Sequence, residues 1–313
     1  MTILLLALGL TGAPAIKSAA ARRAADIDPK MLGRWDITIA TPEGPAPSWL
    51  EIEQSGRDAI IGRFVGIVGS SRPISQINAS GDSLSFSIPH QWEDGNGELS
   101  VSGRLQSSAM AGSMTFPDGK SFRWTGVRSP RLERRSAPVW GAPIRLLHAN
   151  DLGGWHGSGG ANQWIVKNGV LSSPRSGTNL VTDRTFEDFK LHVEFRYPKE
   201  SNSGVYLRGR HEVQIQDDYG NDPWNDRFSG VYGFISPSVM AAKPAGQWET
   251  YDITLVGRLV TVVANGVQVI CNQEIPGITG GALDSNEGAP GPIFLQGDHG
   301  PVEYRNIVIT PAR

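Results

Sequence analysis

The chain carries a single cysteine, Cys271, among 313 residues. One cysteine permits no intramolecular disulfide and no thiolate metal cluster. It follows the apolar run Val267-Gln268-Val269-Ile270, where a thiol is expected to pack as a small hydrophobe rather than act as a nucleophile. An excess of either charge is also missing. With 29 Lys and Arg against 31 Asp and Glu, net −2, nothing in bulk would hold a polyanion, which disfavours nucleic acid as a partner. Long apolar runs are lacking too. Residues 3–10, ILLLALGL, fall far short of the ~20 residues that span a bilayer, so no transmembrane segment is expected. The run is followed by Ala19, Ala20 and Ala21, and it suits the core of a secretory signal over residues 1–25, although no Lys or Arg precedes it. Export to a periplasmic or extracellular setting is the expectation. No convincing helical period appears anywhere.

What is abundant is punctuation. There are 38 glycines and 21 prolines, interleaved with a 39% hydrophobic content that is ample for sizeable cores. This is the pattern of an all-β chain, and the length suits about two domains. Over residues 31–128 apolar residues alternate with polar ones, as in Leu84, Phe86 and Ile88, or Leu99 and Val101. Turns such as Gly95-Asn96-Gly97 and Pro117-Asp118-Gly119 separate the segments. Six to eight short antiparallel strands are predicted, forming a small lipocalin-like barrel or a sandwich with one wet face. No ligand motif marks this half. Residues 129–142, SPRLERRSAPVWGA, are basic, Pro-containing and without period, and read as a linker.

Residues 143–313 are also β-rich. Asn168-Gly169 and Asn265-Gly266 each sit between apolar runs, the signature of tight hairpins whose central residues take positive φ. About a dozen strands without crossover helices predict a two-sheet sandwich. Period two decides which side chains share a face. His192, Glu194 and Arg196 share one, as do Tyr206 and Arg208, and Glu212, Gln214 and Gln216. If their three strands are neighbours, one sheet carries carboxylates, amides, guanidinium and phenol, which together hydrogen-bond sugar hydroxyls. The alternative is a plain solvated face. Nine tryptophans add aromatic faces that suit the apolar side of a pyranose, although most tryptophans fill cores.

Two loops stand out. Gln296-Gly297-Asp298-His299-Gly300-Pro301 places an imidazole, a natural proton shuttle, where glycines allow close backbone approach. Asp217, Asp218, Asp222 and Asp226 cluster near Trp224; they match no EF-hand spacing, so Ca²⁺ is only weakly supported and a solvated loop is the simpler reading. No cofactor is required by the sequence.

Four ordered blocks resemble the 3-keto-disaccharide hydrolase domain family, over residues 143–313. They are residues 147–155 (LHANDLGGW), 202–209 (NSGVYLRG), 212–220 (EVQIQDDYG) and 295–307 (LQGDHGPVEYRNI). The resemblance implies a concanavalin A-like lectin/glucanase jelly roll and carbohydrate work in the cell envelope, with some members cleaving glycosides oxidised at C3. The opening departs, because His148-Ala149-Asn150 stands where the family has a Phe-Asn-Gly-Lys-like stretch.

An ordinary glycosidase needs two carboxyl groups, and Gln214 and Gln216 cannot supply the second. A 3-keto sugar relaxes that demand, because the ketone acidifies C2–H and permits β-elimination followed by hydration, a net hydrolysis. The expected roles are His299 or Glu212 as base, Arg208 as enolate stabiliser, Glu194 or Tyr206 assisting the leaving group, and Gln214 and Gln296 as hydroxyl anchors. Asp298, Asp217, Trp224 and Trp155 complete the expected saccharide-binding set. The competing reading is a non-catalytic glycan-binding module using the same face.

Overall fold

The computed structural model describes residues 27–158 and 161–313, so the signal-like segment over residues 1–25 lies outside the described residues. Among the described residues no helix is long and apolar enough to cross a membrane. The chain is all-β.

The first half forms nine strands rather than six to eight. They are β1 (Gly33–Thr41), β2 (Gly44–Ser55), β3 (Ala59–Val65), β4 (Arg72–Ile74), β5 (Asn78–Ser80), β6 (Ser83–Pro89), β7 (Glu98–Gln106), β8 (Ala109–Thr115) and β9 (Ser121–Arg128). Their antiparallel order is β4-β3-β2-β1-β9-β8-β7-β6-β5. The sheet curls about Trp35, Ile37, Leu50, Phe64, Phe86, Val101, Met114 and Trp124, all buried. Strict alternation gives β6 one wet face, with Leu84, Phe86 and Ile88 inside and serines between them outside.

The second half is a sandwich. Its strands are β10 (Ile144–Arg145), β11 (Trp155–Ser158), β12 (Ile165–Lys167), β13 (Val170–Ser173), β14 (Asn179–Phe186), β15 (Phe189–Arg196), β16 (Asn202–Leu207), β17 (His211–Gln216), β18 (Glu249–Val256), β19 (Leu259–Ala264), β20 (Val267–Glu274), β21 (Gly291–Leu295) and β22 (Val302–Pro311). One sheet runs β12-β13-β22-β15-β18-β19-β20, with β10 also on β22. The other runs β11-β14-β21-β16-β17. Between them lies a core that includes Leu191, Val193, Phe195, Val205, Val213, Tyr251, Ile293 and Leu295. Both predicted hairpins are present, with φ of 53° and 76° at Asn168 and Gly169, and 52° and 79° at Asn265 and Gly266.

Cys271 does not pack inward. Val269 and Ile270 are both buried, and irregular register between β19 and β20 breaks the alternation, so the thiol is exposed. The curled sheet, an open barrel whose edge strands β4 and β5 do not pair with each other, meets the sandwich through Trp49, Val65, Ile278 and Ala282, with Phe234 edge-on to Trp49 at 5.4 Å. The Gly281 N–H donates to the Ile67 carbonyl at 2.9 Å.

Candidate active site

The five-stranded sheet turns one face to the core, and its other face is partly covered by residues 279–283. In β16 and β17 the residues Asn202, Gly204 and Tyr206 lie opposite Gln216, Gln214 and Glu212. The core takes Val205, Leu207, Val213 and Ile215, so the polar set projects from the outer face. Phe294 of β21 stacks on Tyr206 with ring centroids 4.2 Å apart, and Val181 of β14 packs beside them.

Glu212 is the centre of this face. Its side chain is 3% exposed and lies across Gly204, where a Cβ would come 2.1 Å from Oε1. Gly204 is thus required by close approach rather than by backbone angle. Burial pushes the Glu212 carboxyl up to about 8. The Tyr206 hydroxyl lies 2.9 Å from Glu212 Oε2 and 3.0 Å from the Gly280 carbonyl. It has one hydrogen for two acceptors. When Glu212 is protonated, its own O–H bonds the phenol oxygen and the phenol hydrogen turns to Gly280.

His299 adds the second group. Its Nδ1 lies 2.6 Å from Asp298 Oδ1, and its side chain is half exposed. The bond to Asp298 raises the imidazole above its ordinary range, with a further contribution from the Glu212 charge. His299 in turn favours the ionised form of Glu212, so the two groups feel one another. The loop is anchored by Asn179, whose Oδ1 accepts from the Gly297 and Asp298 N–H groups and whose amide donates to Asp298 Oδ2 at 3.2 Å. Gln296 is backed by its N–H bond to the Gly204 carbonyl, 3.0 Å, while its side-chain oxygen is buried with no protein partner.

Other expected residues fall elsewhere. Glu194 is in β15, which belongs to the other sheet; it binds Arg305 at 2.6 Å and Asn306 at 2.9 Å on that sheet's outer surface. The expectation that β15, β16 and β17 are neighbours is corrected, because the chain changes sheets between β15 and β16. Arg208 also leaves the face. A φ of 53° ends β16 and breaks its alternation. The guanidinium is buried, donates to the Gly257 carbonyl at 2.6 Å, and has Asp188, Glu287 and Arg258 as charged neighbours rather than Glu212; burial lowers it to about 10. Trp155 is buried in the core with its indole N–H on the Leu146 carbonyl, so it offers no sugar platform.

Gln214 keeps its place, but its amide donates to the Asp226 carbonyl and its side-chain oxygen accepts from the Ile215 N–H. It braces the loop after β17, where Trp224 stands exposed. In that loop Asp217 accepts from the Glu200 N–H and Asp218 from the Phe228 N–H. These carboxylates hold backbone turns. Among the described residues no three His, Cys, Asp or Glu side chains converge as a metal site.

Three elements of this face escaped the sequence reading. Asn179 anchors the Asp298 loop. His156 of β11 pairs with Asp183 at 2.6 Å. Tyr232 lies beside Glu212, its N–H donating to the Glu212 carbonyl at 3.0 Å. Only Tyr232 had a local signal, an aromatic between Val231 and Gly233 in a Gly-rich stretch.

A jelly-roll sandwich with a buried, proton-holding carboxyl and an Asp-oriented histidine on its polar face has the make-up of a carbohydrate-active domain. Residues 142–310 match the family of 3-keto-alpha-glucoside-1,2-lyase-like domains, and the chain belongs to that family. It is similar to a Parabacteroides distasonis protein designated a glycosyl hydrolase, with 27% identity over 58% of this chain and 96% of that one, at a TM-score of 0.46. A second protein of that organism, with the same designation, shares 24% identity over 54% and 98% of the two chains, at 0.43. No curated protein matches the chain.

Proposed function

We propose that this protein cleaves glycosides oxidised to a ketone at C3, by C2 proton abstraction, β-elimination and hydration. One observation carries the reading. A buried carboxyl that keeps its proton to about 8 lies near a half-exposed histidine whose Nδ1 is held by a carboxylate. Asp298 is committed to His299, so the face lacks the two free carboxyl groups of an ordinary glycosidase.

With Nδ1–H donated to Asp298, His299 Nε2 is the base and takes the C2 proton. The electron pair passes into the ketone as an enolate. It returns to form the C1–C2 double bond as the C1–O bond breaks, and the bonding pair leaves with the aglycone oxygen. Glu212, protonated, gives that oxygen its proton. Water then adds at C1, losing a proton to the Glu212 carboxylate, while C2 is reprotonated by the His299 imidazolium. One water is consumed and both side chains return to their starting states. Gln296, with a half-turn of its amide, supplies an N–H at the enolate oxygen.

The direct test is incubation with 3-keto-trehalose in D₂O, followed by mass spectrometry. Glucose and 3-keto-glucose should appear, with deuterium at C2 above the enzyme-free rate. Binding without release would make this a glycan-binding module instead, and release without C2 deuterium would remove the elimination route.

Gly204 offers a finer check. Gly204→Ala places a methyl group on Glu212 Oε1 and must displace the carboxyl. A shift of about 1 Å costs roughly 10²-fold in kcat. Steady-state kinetics should show that loss while circular dichroism retains the β spectrum.

A further inference from the structure

The N-terminal barrel reaches the rim of this site. Tyr232 continues the five-stranded sheet beyond β17, because Val231 bridges Val213 and the Gln214 N–H donates to the Gly230 carbonyl. Tyr232 therefore shares the face of Glu212, and the Glu212 charge, together with burial, pushes its phenol up. Trp92, from the loop between β6 and β7, stands beside Gly69, where a Cβ would come 3.1 Å from its Cδ1, and Gly69 in turn packs on Gly280. From there its indole N–H neighbours the Tyr232 phenol and acts in the opposite direction.

Trp92 is 68% exposed, yet its backbone is stiffly held. Glu93 accepts from the Gln91 and Trp92 N–H groups and pairs with Arg72 at 2.5 Å, both side chains being largely buried. Gln91 in turn binds Ser70, whose loop packs on the sandwich at Gly233 and Gly280. The Gly280 carbonyl is the one that meets the Tyr206 hydroxyl. A large aromatic face is thus kept in water by a buried ion pair, with its polar edge turned to a residue adjoining Glu212. An indole in that position suits the C–H face of a second sugar ring.

We propose that Trp92 is the platform for the leaving-group sugar, so that the barrel sets the substrate's length. Trp92 is a specificity residue and takes no part in proton transfer. The inference rests on the proposed reaction, so the test separates the two. Kinetics of the full chain and of Trp92→Ala are compared on 3-keto-trehalose and on methyl 3-keto-glucoside, whose aglycone is too short to reach the indole. Calorimetry measures 3-keto-trehalose binding in a Glu212→Gln background, with and without Trp92→Ala.

Trp92→Ala should raise KM for the disaccharide about tenfold relative to the methyl glycoside, through KM rather than kcat, and should weaken binding by the same factor. Trp92→Phe should recover most of it. An equal KM change on both substrates, or unaltered binding, overturns the platform. If the parent cleaves neither substrate but binding still depends on Trp92, the reaction falls and the platform stands. If there is neither cleavage nor binding, both fall.

Discussion

Glu212→Gln is expected to lower kcat on 3-keto-trehalose by about 10²–10⁴-fold, the usual scale of a lost general acid. The amide keeps the shape and can still bond Tyr206, but it has no proton to give the leaving oxygen. With a 4-nitrophenyl 3-keto-glucoside, whose phenolate leaves without help, most of the loss should vanish. Exchange of the C2 hydrogen with D₂O should survive in Glu212→Gln and disappear in His299→Asn. Exchange that survives in His299→Asn and disappears in Glu212→Gln would reverse the two roles. The parent should show a bell-shaped pH profile. Activity rises as His299 is deprotonated, above the ordinary imidazole range, and falls as Glu212 ionises near 8. The two groups are coupled, so the two limbs belong to the pair.

The same substitution should stabilise the fold. The Glu212 carboxyl is raised from an ordinary value of 4.5 to about 8. The folded state then holds a proton that the unfolded chain releases. Its contribution to stability is full below about 4.5 and is lost as pH climbs through 8. Gln carries no such burden. Glu212→Gln should therefore match the parent at pH 4 and unfold later than it at pH 9, by several kcal/mol at ~1.4 kcal/mol for each unit of that rise. Equal denaturant midpoints at pH 9 would mean that the carboxyl is solvated.

Arg258→Met is expected to cost about 3–5 kcal/mol, because it strands a buried charge. Arg258 grips Glu287 with two bonds, 2.9 and 2.6 Å, and both side chains are almost wholly buried. It also donates to the carbonyls of Pro130 and Pro276, tying the segment after the barrel to the sandwich. Asp36 of the barrel faces this pair and is raised to about 8 by burial and then by the Glu287 charge. By the same linkage, the stability that protonated Asp36 contributes is complete below its ordinary 3.8 and lost as pH rises through 8. Urea unfolding should show a much lower midpoint for Arg258→Met. The double variant Arg258→Met with Glu287→Leu should recover part of the loss, since it removes the stranded carboxylate but leaves buried Arg208 with Asp188 as its remaining countercharge. A cost below about 1 kcal/mol for the single variant would show the pair to be hydrated, as in a surface ion pair.

Much of this site follows from local chemistry. Alternation alone put Tyr206, Glu212 and Gln214 on outward faces of their strands, because period two allows no other choice within an extended segment. Glycines marked the Asp298-His299 loop. The Asn-Gly pairs marked two hairpins through their positive φ. Alternation could not say which strands become neighbours. It therefore grouped Glu194 with Glu212, although β15 and β16 lie in different sheets.

The sequence by itself determined the all-β class, the family blocks and which residues share a face where a strand alternates regularly, because turn chemistry and side-chain alternation act over a few residues. Tertiary structure decided what depends on distant partners. It turned Arg208 into a buried ion network through one positive φ, and it sank Trp155 into the core. Irregular register exposed Cys271. Docking of the barrel on the sandwich brought Trp92 to Tyr232, two residues that lie 140 positions apart, a contact that no local pattern encodes.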